Sequence, residues 1–243
     1  SINWEPKGAR IKSIIDKFKL RSSSILFIDD NHMNRKEAEI FSPGIQIEDE
    51  KFTKKILNDY RFKGKPDPFQ KRLNDYKLLE AKNHSLESYS GDTEDFLRGS
   101  EIFVEIDYDI SSNIDRAIEL KNRTNQLNFT KKRLSENIEE ARLELTEQIT
   151  HPDRHAGLVK VYDKYGDYGI IGFFLQAKGA GYNKLEHFCF SCRTLGMLIE
   201  LWLYRKLGSP SFILSGEVLT QLVKNDKKID WINDKKNNNK KQY

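Results

Sequence analysis

An α/β unit followed by an α+β unit is the fold class that this sequence predicts, and three observations predict it. Ser24 opens the continuous apolar run Ile25-Leu26-Phe27-Ile28, the pattern of a strand covered on both faces of a parallel sheet, and helical patterns flank it. Further on, Leu158-Val159-Lys160-Val161-Tyr162 and Ile170-Ile171-Gly172-Phe173-Phe174-Leu175 enclose the turn residues Gly166, Asp167 and Gly169, the signal of an antiparallel hairpin. Residues 48–95 are polar and broken by Lys63-Gly64-Lys65-Pro66-Asp67-Pro68, which sets the expected boundary between the units.

The elements follow in order. Ala9, Ile11, Ile14, Ile15 and Phe18 recur at helical spacing after Pro6 and predict a helix over 8–19. The strand over 24–28 ends in Asp29-Asp30-Asn31, a second helix starts near Asn34, and Ile45-Gln46-Ile47 reads as another short strand. Leu73, Tyr76 and Leu79 mark a helix in the polar stretch. Then come a strand over 102–106, a helix from Ile114 to Lys121 and a polar cluster over 122–128. A helix capped by Ser135 carries Ile138, Ala141, Leu145 and Ile149 on one face. After the hairpin, 184–190 reads as a strand and Leu195, Leu198, Ile199 and Trp202 as a helix. Phe212-Ile213-Leu214 and a helix from about Gly216 close the fold. Helices gathered around a largely antiparallel sheet make this second unit α+β. The expected divisions are a first unit over 1–63, a helical linker over 64–98, a second unit over 99–233 and a solvated tail over 234–243.

Composition narrows the function classes. The 14 Phe, 10 Tyr and 3 Trp supply the apolar bodies of a packed core although hydrophobic residues make up 37% of the 243. The net charge of +4 is matched by seven Lys and three Asp within residues 224–243, so the rest is neutral and a basic nucleic-acid groove is not expected. No apolar run approaches a membrane span and the first residues lack a signal-peptide pattern, so a cytoplasmic protein with no membrane partner is expected. Two cysteines, Cys189 and Cys192, make no disulfide framework. They read as ordinary thiols, with redox or metal roles as the alternative, and strand alternation puts them on different faces. Pro152 argues against one helix joining His151 and His155 as a metal pair, so that segment reads as a loop.

Chemistry in the first unit starts from Asp29 and Asp30 at the carboxyl end of a buried strand, where an open α/β sheet places functional groups. The pair suits Mg²⁺, and Lys7 suits a phosphoryl group brought to the same crevice. In the alternative reading one carboxylate caps the helix after Asn31 and the other is solvated. Asn3-Trp4-Glu5-Pro6-Lys7, Phe27-Ile28-Asp29-Asp30-Asn31 and Arg35-Lys36-Glu37 resemble the second half of the catalytic domain of FkbH-like proteins, a subfamily of the haloacid dehalogenase superfamily. The resemblance implies a partial Rossmann-like domain in which Lys7 contacts phosphate and Asp29 and Asp30 hold Mg²⁺. It also implies glyceryl-type transfer from a phosphorylated three-carbon acid to the phosphopantetheine thiol of an acyl carrier protein. The family's Asp-x-Asp nucleophile, its neighbouring cysteine and its Ser/Thr motif all belong upstream of Ser1, so phosphate hydrolysis by this chain alone is not expected. Self-association through the open edge of the partial sheet is expected.

Asn122-Arg123-Thr124-Asn125-Gln126-Leu127-Asn128, Gly166-Asp167-Tyr168-Gly169-Ile170-Ile171-Gly172 and Ser191-Cys192-Arg193-Thr194-Leu195-Gly196 are similar to the carboxyl-terminal region of the same family, so the resemblance spans residues 2–207. It implies an acyltransferase fold of the GNAT type, a sheet splayed to admit a pantetheine arm, and phosphopantetheine or coenzyme A as cofactor. Independently, a strand leading into a helix whose first turn holds Arg193 and Gly196 would present N–H groups and a guanidinium to a phosphate. Asn125 and Gln126 join them as cofactor-binding candidates, and Asp167 and His187, with Glu186, are the candidate general bases. Leu198 is bulkier than the last position of the acetyltransferase pattern allows, and Met197 replaces the basic residue that the resemblance to the FkbH-like family implies. The structural alternatives are an Arg193–Glu200 pair, helix C-cap chemistry for 122–128 and a turn role for Asp167. A non-catalytic carrier-docking module is the competing function, and a Mg²⁺-dependent phosphatase remnant is a third.

Overall fold

In a computed structural model that describes residues 5–17, 20–64, 67–222 and 226–235, the side chains of 71 and 72 excepted, the chain divides into units Ser1–Phe69 and Gln70–Tyr243. The first unit runs α1 (Lys7–Lys17), β1 (Leu26–Ile28), α2 (His32–Phe41) and β2 (Gln46–Glu48), then a string of 3-10 turns. The strands pair in parallel, Leu26 opposite Gln46 and Ile28 opposite Glu48, with α2 as the crossover. Both strands are half-buried rather than covered on two faces, since a sheet of two strands cannot shelter its members as a wide parallel sheet does. Asn31, not Asp29 or Asp30, caps α2: its side chain accepts the Met33 N–H.

The second unit runs α3 (Lys71–Glu87), α4 (Thr93–Arg98), β3 (Ile102–Asp107), α5 (Ile114–Arg123), α6 (Ile138–Thr150), β4 (Arg154–Asp163), β5 (Gly166–Gly179), β6 (Tyr182–Phe190), α7 (Ile199–Lys206) and β7 (Ile232–Lys235). The sheet order is β6-β5-β4-β3-β7, antiparallel except for β7 beside β3. Alternation along β5 sends Phe173 and Leu175 into a core with Ile118 and Leu145 of α5 and α6. Phe174 goes to the other face, with Val104, Phe188 and Leu201. The result is mixed α/β, with a largely antiparallel sheet between two apolar layers.

Four expectations need correction. Most of the stretch expected to be a linker, from Gln70 on, belongs to the second unit, because Lys82 of α3 donates to Asp163 at 2.8 Å and Asp75 accepts from Arg193 at 2.8 Å. Asn137 rather than Ser135 caps α6, its carboxamide oxygen accepting from Glu139 and Glu140. Among the described residues no helix forms from Gly216, which takes a left-handed φ of 67°, and of 211–214 just Ser211 bridges the sheet. Asp234 and Lys235 lie in β7, not in the tail, whose residues 236–243 are outside the described residues.

Antiparallel strands end on one side at β6, and chain segments take up its outer edge. Phe129 N–H donates to Phe188 O at 3.0 Å and Phe190 N–H to Leu127 O at 2.9 Å, so residues 127–129 run antiparallel along its last half. Ser211 bonds in parallel to its first half, through Leu185 N–H at 2.8 Å and Asn183 O at 2.9 Å. A third layer closes over 127–129, since Ser215 donates to Phe129 O and Leu219 to Gln126 O, each at 3.0 Å.

The buried Lys82–Asp163 pair, also bonded by the Tyr168 hydroxyl at 2.9 Å, ties α3 to the β4–β5 hairpin. Lys82→Met leaves Asp163 buried without its cation and is expected to cost about 3–5 kcal/mol, read as a lower urea midpoint. The double variant with Asp163→Asn is expected to recover much of that loss.

Candidate functional site

In the first unit the helix before β1 and the turn after it converge. Lys7, the first residue of α1, reaches Asp29 across 22 residues of sequence, Nζ to Oδ2 at 2.6 Å. The other Asp29 oxygen accepts from the Asn31 N–H and the Asn34 carboxamide, both at 2.9 Å. Burial alone would raise this carboxyl, but the Lys7, Asn34 and Asn31 hydrogen bonds outweigh it and hold its pKa near 2. Arg35 clamps the turn from above, its Nη1 donating to the Asp29 and Asp30 carbonyls at 2.6 and 2.9 Å. Asp30 itself is exposed. Both Asp29 oxygens accept hydrogen bonds, Oδ2 from Lys7 and Oδ1 from Asn31 and Asn34, so a Mg²⁺ ion here would have to compete with these donors. Among the described residues no cluster of three His, Cys, Asp or Glu could hold a metal.

In the second unit the structure separates the predicted residues. Arg193 lies in a 3-10 turn, Cys192–Thr194, and Gly196 in a left-handed link at φ 84°, so neither is in the first turn of α7, which starts three residues beyond Gly196. The Arg193 guanidinium is spent on Asp75 at 2.8 Å and on Ser191 Oγ at 3.3 Å, not on Glu200. Glu200 is fully buried in the first turn of α7, where its own N–H and the Thr220 hydroxyl donate to it, and burial pushes its carboxyl up. The helix end that was expected to receive an anion thus holds an acid of its own. Gln126 does come to this turn, its Oε1 accepting from the Cys192 thiol at 3.2 Å, whereas the Asn125 carbonyl closes a turn with Asn128 N–H. The last half of the outer edge of β6 is paired with 127–129.

The candidate bases are also apart. Asp167 is exposed and its carboxylate accepts the Gly169 N–H at 2.7 Å, a turn role. His187 pairs with Leu175, eight positions up β5, about 26 Å away at strand rise. Glu186 is taken by Arg154 in a bidentate pair at 2.7 and 3.0 Å. His155 is the second residue of β4 and contacts the rings of Tyr108 and Phe174, and His151 is the C-cap of α6, so no single helix joins the two histidines.

Sequence reasoning missed the partner of His187. Lys121 is 1% exposed and its Nζ lies 2.9 Å from His187 Nε2 and 3.4 Å from Gln148 Oε1. Among the described residues no carboxylate is within ion-pair distance of it. Burial lowers the Lys121 ammonium to about 8 and the His187 imidazole to about 3, and His187 Nδ1 is without a hydrogen-bond partner. Cys189, in the same core, is pushed up to about 12 by burial and is inert as a thiolate. The signal available in the sequence was Lys121 at the inward spacing of Ala117, Ile118 and Leu120, a lysine on an apolar face. No protein-family model, curated protein or solved structure matches the chain.

A Lys of ordinary pKa 10.5 lowered to about 8 binds fewer protons folded than unfolded above pH 8, so stability rises with pH there. The expected gain is about 1 kcal/mol from pH 8 to 9, before Cys189 and Tyr168, both raised by burial, act in the opposite direction. Urea unfolding at the two pH values should show it for the wild type and not for Lys121→Met.

Proposed function

We propose that the chain takes part in FkbH-like transfer of a glyceryl-type acyl group to the phosphopantetheine thiol of an acyl carrier protein. In this reading the reacting phosphorylated acid is held at the Lys7–Asp29 site, and the second unit docks the carrier without catalysing transfer. The observation that carries it is Lys7 reaching Asp29 at 2.6 Å at the carboxyl end of a parallel strand, the crevice in which α/β sheets place ligands. Asp29, kept ionised, orients the ammonium, and a phosphoryl oxygen entering the crevice would draw on the donors that Lys7 and Asn34 now give to Asp29. Support for docking rather than catalysis in the second unit is the dispersal of its candidate bases and the commitment of Arg193 to Asp75. A phosphatase remnant is the weaker alternative, since Mg²⁺ at Asp29 would have to compete with the Lys7 ammonium on Oδ2 and with two donors on Oδ1.

Calorimetric titration of the full chain tests both halves. The carrier protein is expected to bind with or without its phosphopantetheine arm, and coenzyme A to give no heat. Lys7→Ala is expected to weaken a phosphorylated three-carbon acid by about tenfold and leave carrier affinity unchanged. No heat with either carrier form would sink the docking reading. Binding that requires the arm would return the chemistry to the second unit.

Among the described residues neither β1 nor β2 has a second neighbour, which leaves two short strand edges with unpaired backbone groups. Sedimentation at rising concentration is expected to show the weight-average mass increasing through this edge, and a monomer throughout would exclude it.

A further inference from the structure

We infer that Glu37 is a positioning residue: with Gly8 it seats the start of α1 on α2 so that Lys7 is aimed at Asp29. Its importance for phosphoryl binding rests on the function proposed above, but the geometry stands without it. The Gly8 N–H donates to Glu37 Oε2 at 3.1 Å across 29 residues of sequence. This N–H is one of the donors at a helix start that have no partner inside the helix, and α1 carries no acid in its own first turn. Glu37 supplies from α2 the carboxylate that this positive helix end lacks.

Glycine at position 8 makes the contact feasible. A Cβ there would stand 2.7 Å from Glu37 Cγ, 2.8 Å from Glu37 O and 2.8 Å from Phe41 Cδ2. The two side-chain atoms could yield, but the Glu37 carbonyl is part of the α2 backbone. Any side chain at this point therefore moves the first turn of α1 away from α2. Lys7 is the adjacent residue, and its target cannot follow: Asp29 is fixed by Asn34 of α2 and by the turn that Arg35 clamps. One helix thus fixes both members of the pair, Asp29 through Asn34 and Arg35 and Lys7 through Glu37.

Lysine reactivity toward sulfosuccinimidyl acetate, read residue by residue by mass spectrometry on the full chain, tests this. Glu37→Leu and Gly8→Ala are each expected to raise the Lys7 rate by about threefold, the loss of one hydrogen-bonded contact. Lys12, on the same helix, and Lys54 should keep their rates, and Glu37→Gln, which retains an acceptor oxygen, should stay near wild type. The inference is overturned if Lys7 is unmoved in both Glu37→Leu and Gly8→Ala, if the three lysines rise together, or if Glu37→Gln matches Glu37→Leu. A separate arm adds inorganic phosphate to the wild type. Failure of phosphate to protect Lys7 overturns the phosphoryl reading and leaves the comparison among variants intact.

Discussion

The outer edge of β6 is the constraint around which the second unit is organised. An edge strand presents N–H and C=O groups that must be paired or wetted, and Phe188 and Phe190 are fully buried, so water cannot serve them. Residues 127–129 supply the pairing, and 215–219 cover those in turn. This ordering draws in two segments distant in sequence: the loop between α5 and α6, and the irregular segment after α7. It also bears on what can pair with this edge. An extended ligand that paired with the last half of β6 would have to displace 127–129, among them Leu127 and Phe129, both buried in the main core.

Charge inside the second unit is handled in two opposite ways. Lys82 is buried against Asp163, which the Tyr168 hydroxyl and the Tyr165 N–H also serve, so that this ion pair has its remaining acceptor capacity filled. Lys121 is buried against a neutral imidazole and a carboxamide. The first arrangement joins α3 to the hairpin and makes the supposed linker part of the fold. The second leaves a destabilised ammonium and an orphan His187 nitrogen under α5 and α6, a local cost that the surrounding Leu, Ile and Phe contacts outweigh.

How much of this was legible follows from the range of the interactions involved. Local patterns carried α1, β3 and the β4–β5 hairpin, because Ile and Val periodicity and a Gly/Asp turn are properties of adjacent residues. Helix starts were legible to within a few residues but assigned to the wrong cap at α6, where Ser135 and Asn137 both offer an oxygen and the fold uses the second. Helix C-cap chemistry, the alternative reading for 122–128, is present in part, since the Asn128 carboxamide donates to Lys121 O of α5 at 3.2 Å; the pairing of 127–129 with β6, some 60 residues away in sequence, was not legible. Arg193 read as an anion ligand for the same reason: Asp75, its partner, is separated from it by 118 positions. The short strand β7 was hidden in a charged composition, with Ile232 as its one apolar residue.

The first-unit site differs in that its long-range pair was readable. Lys7 and Asp29 are separated by 22 positions, and what connects them is the simple order helix, strand, helix, whose geometry places the start of the first helix near the end of the strand. A lysine and an aspartate at those two points make a plain ion pair, one that on an open surface would be worth little. Here the aspartate side chain is 7% exposed and carries two further hydrogen bonds, so the ammonium is held by a carboxylate that cannot turn away. A cation fixed in this manner has its direction set by the fold, which is the preorganisation that the proposed binding of a phosphoryl oxygen draws on. The three side chains of α2 that impose the direction, Asn34, Arg35 and Glu37, sit within four consecutive positions, which makes the helix rather than any single carboxylate the element on which the site depends.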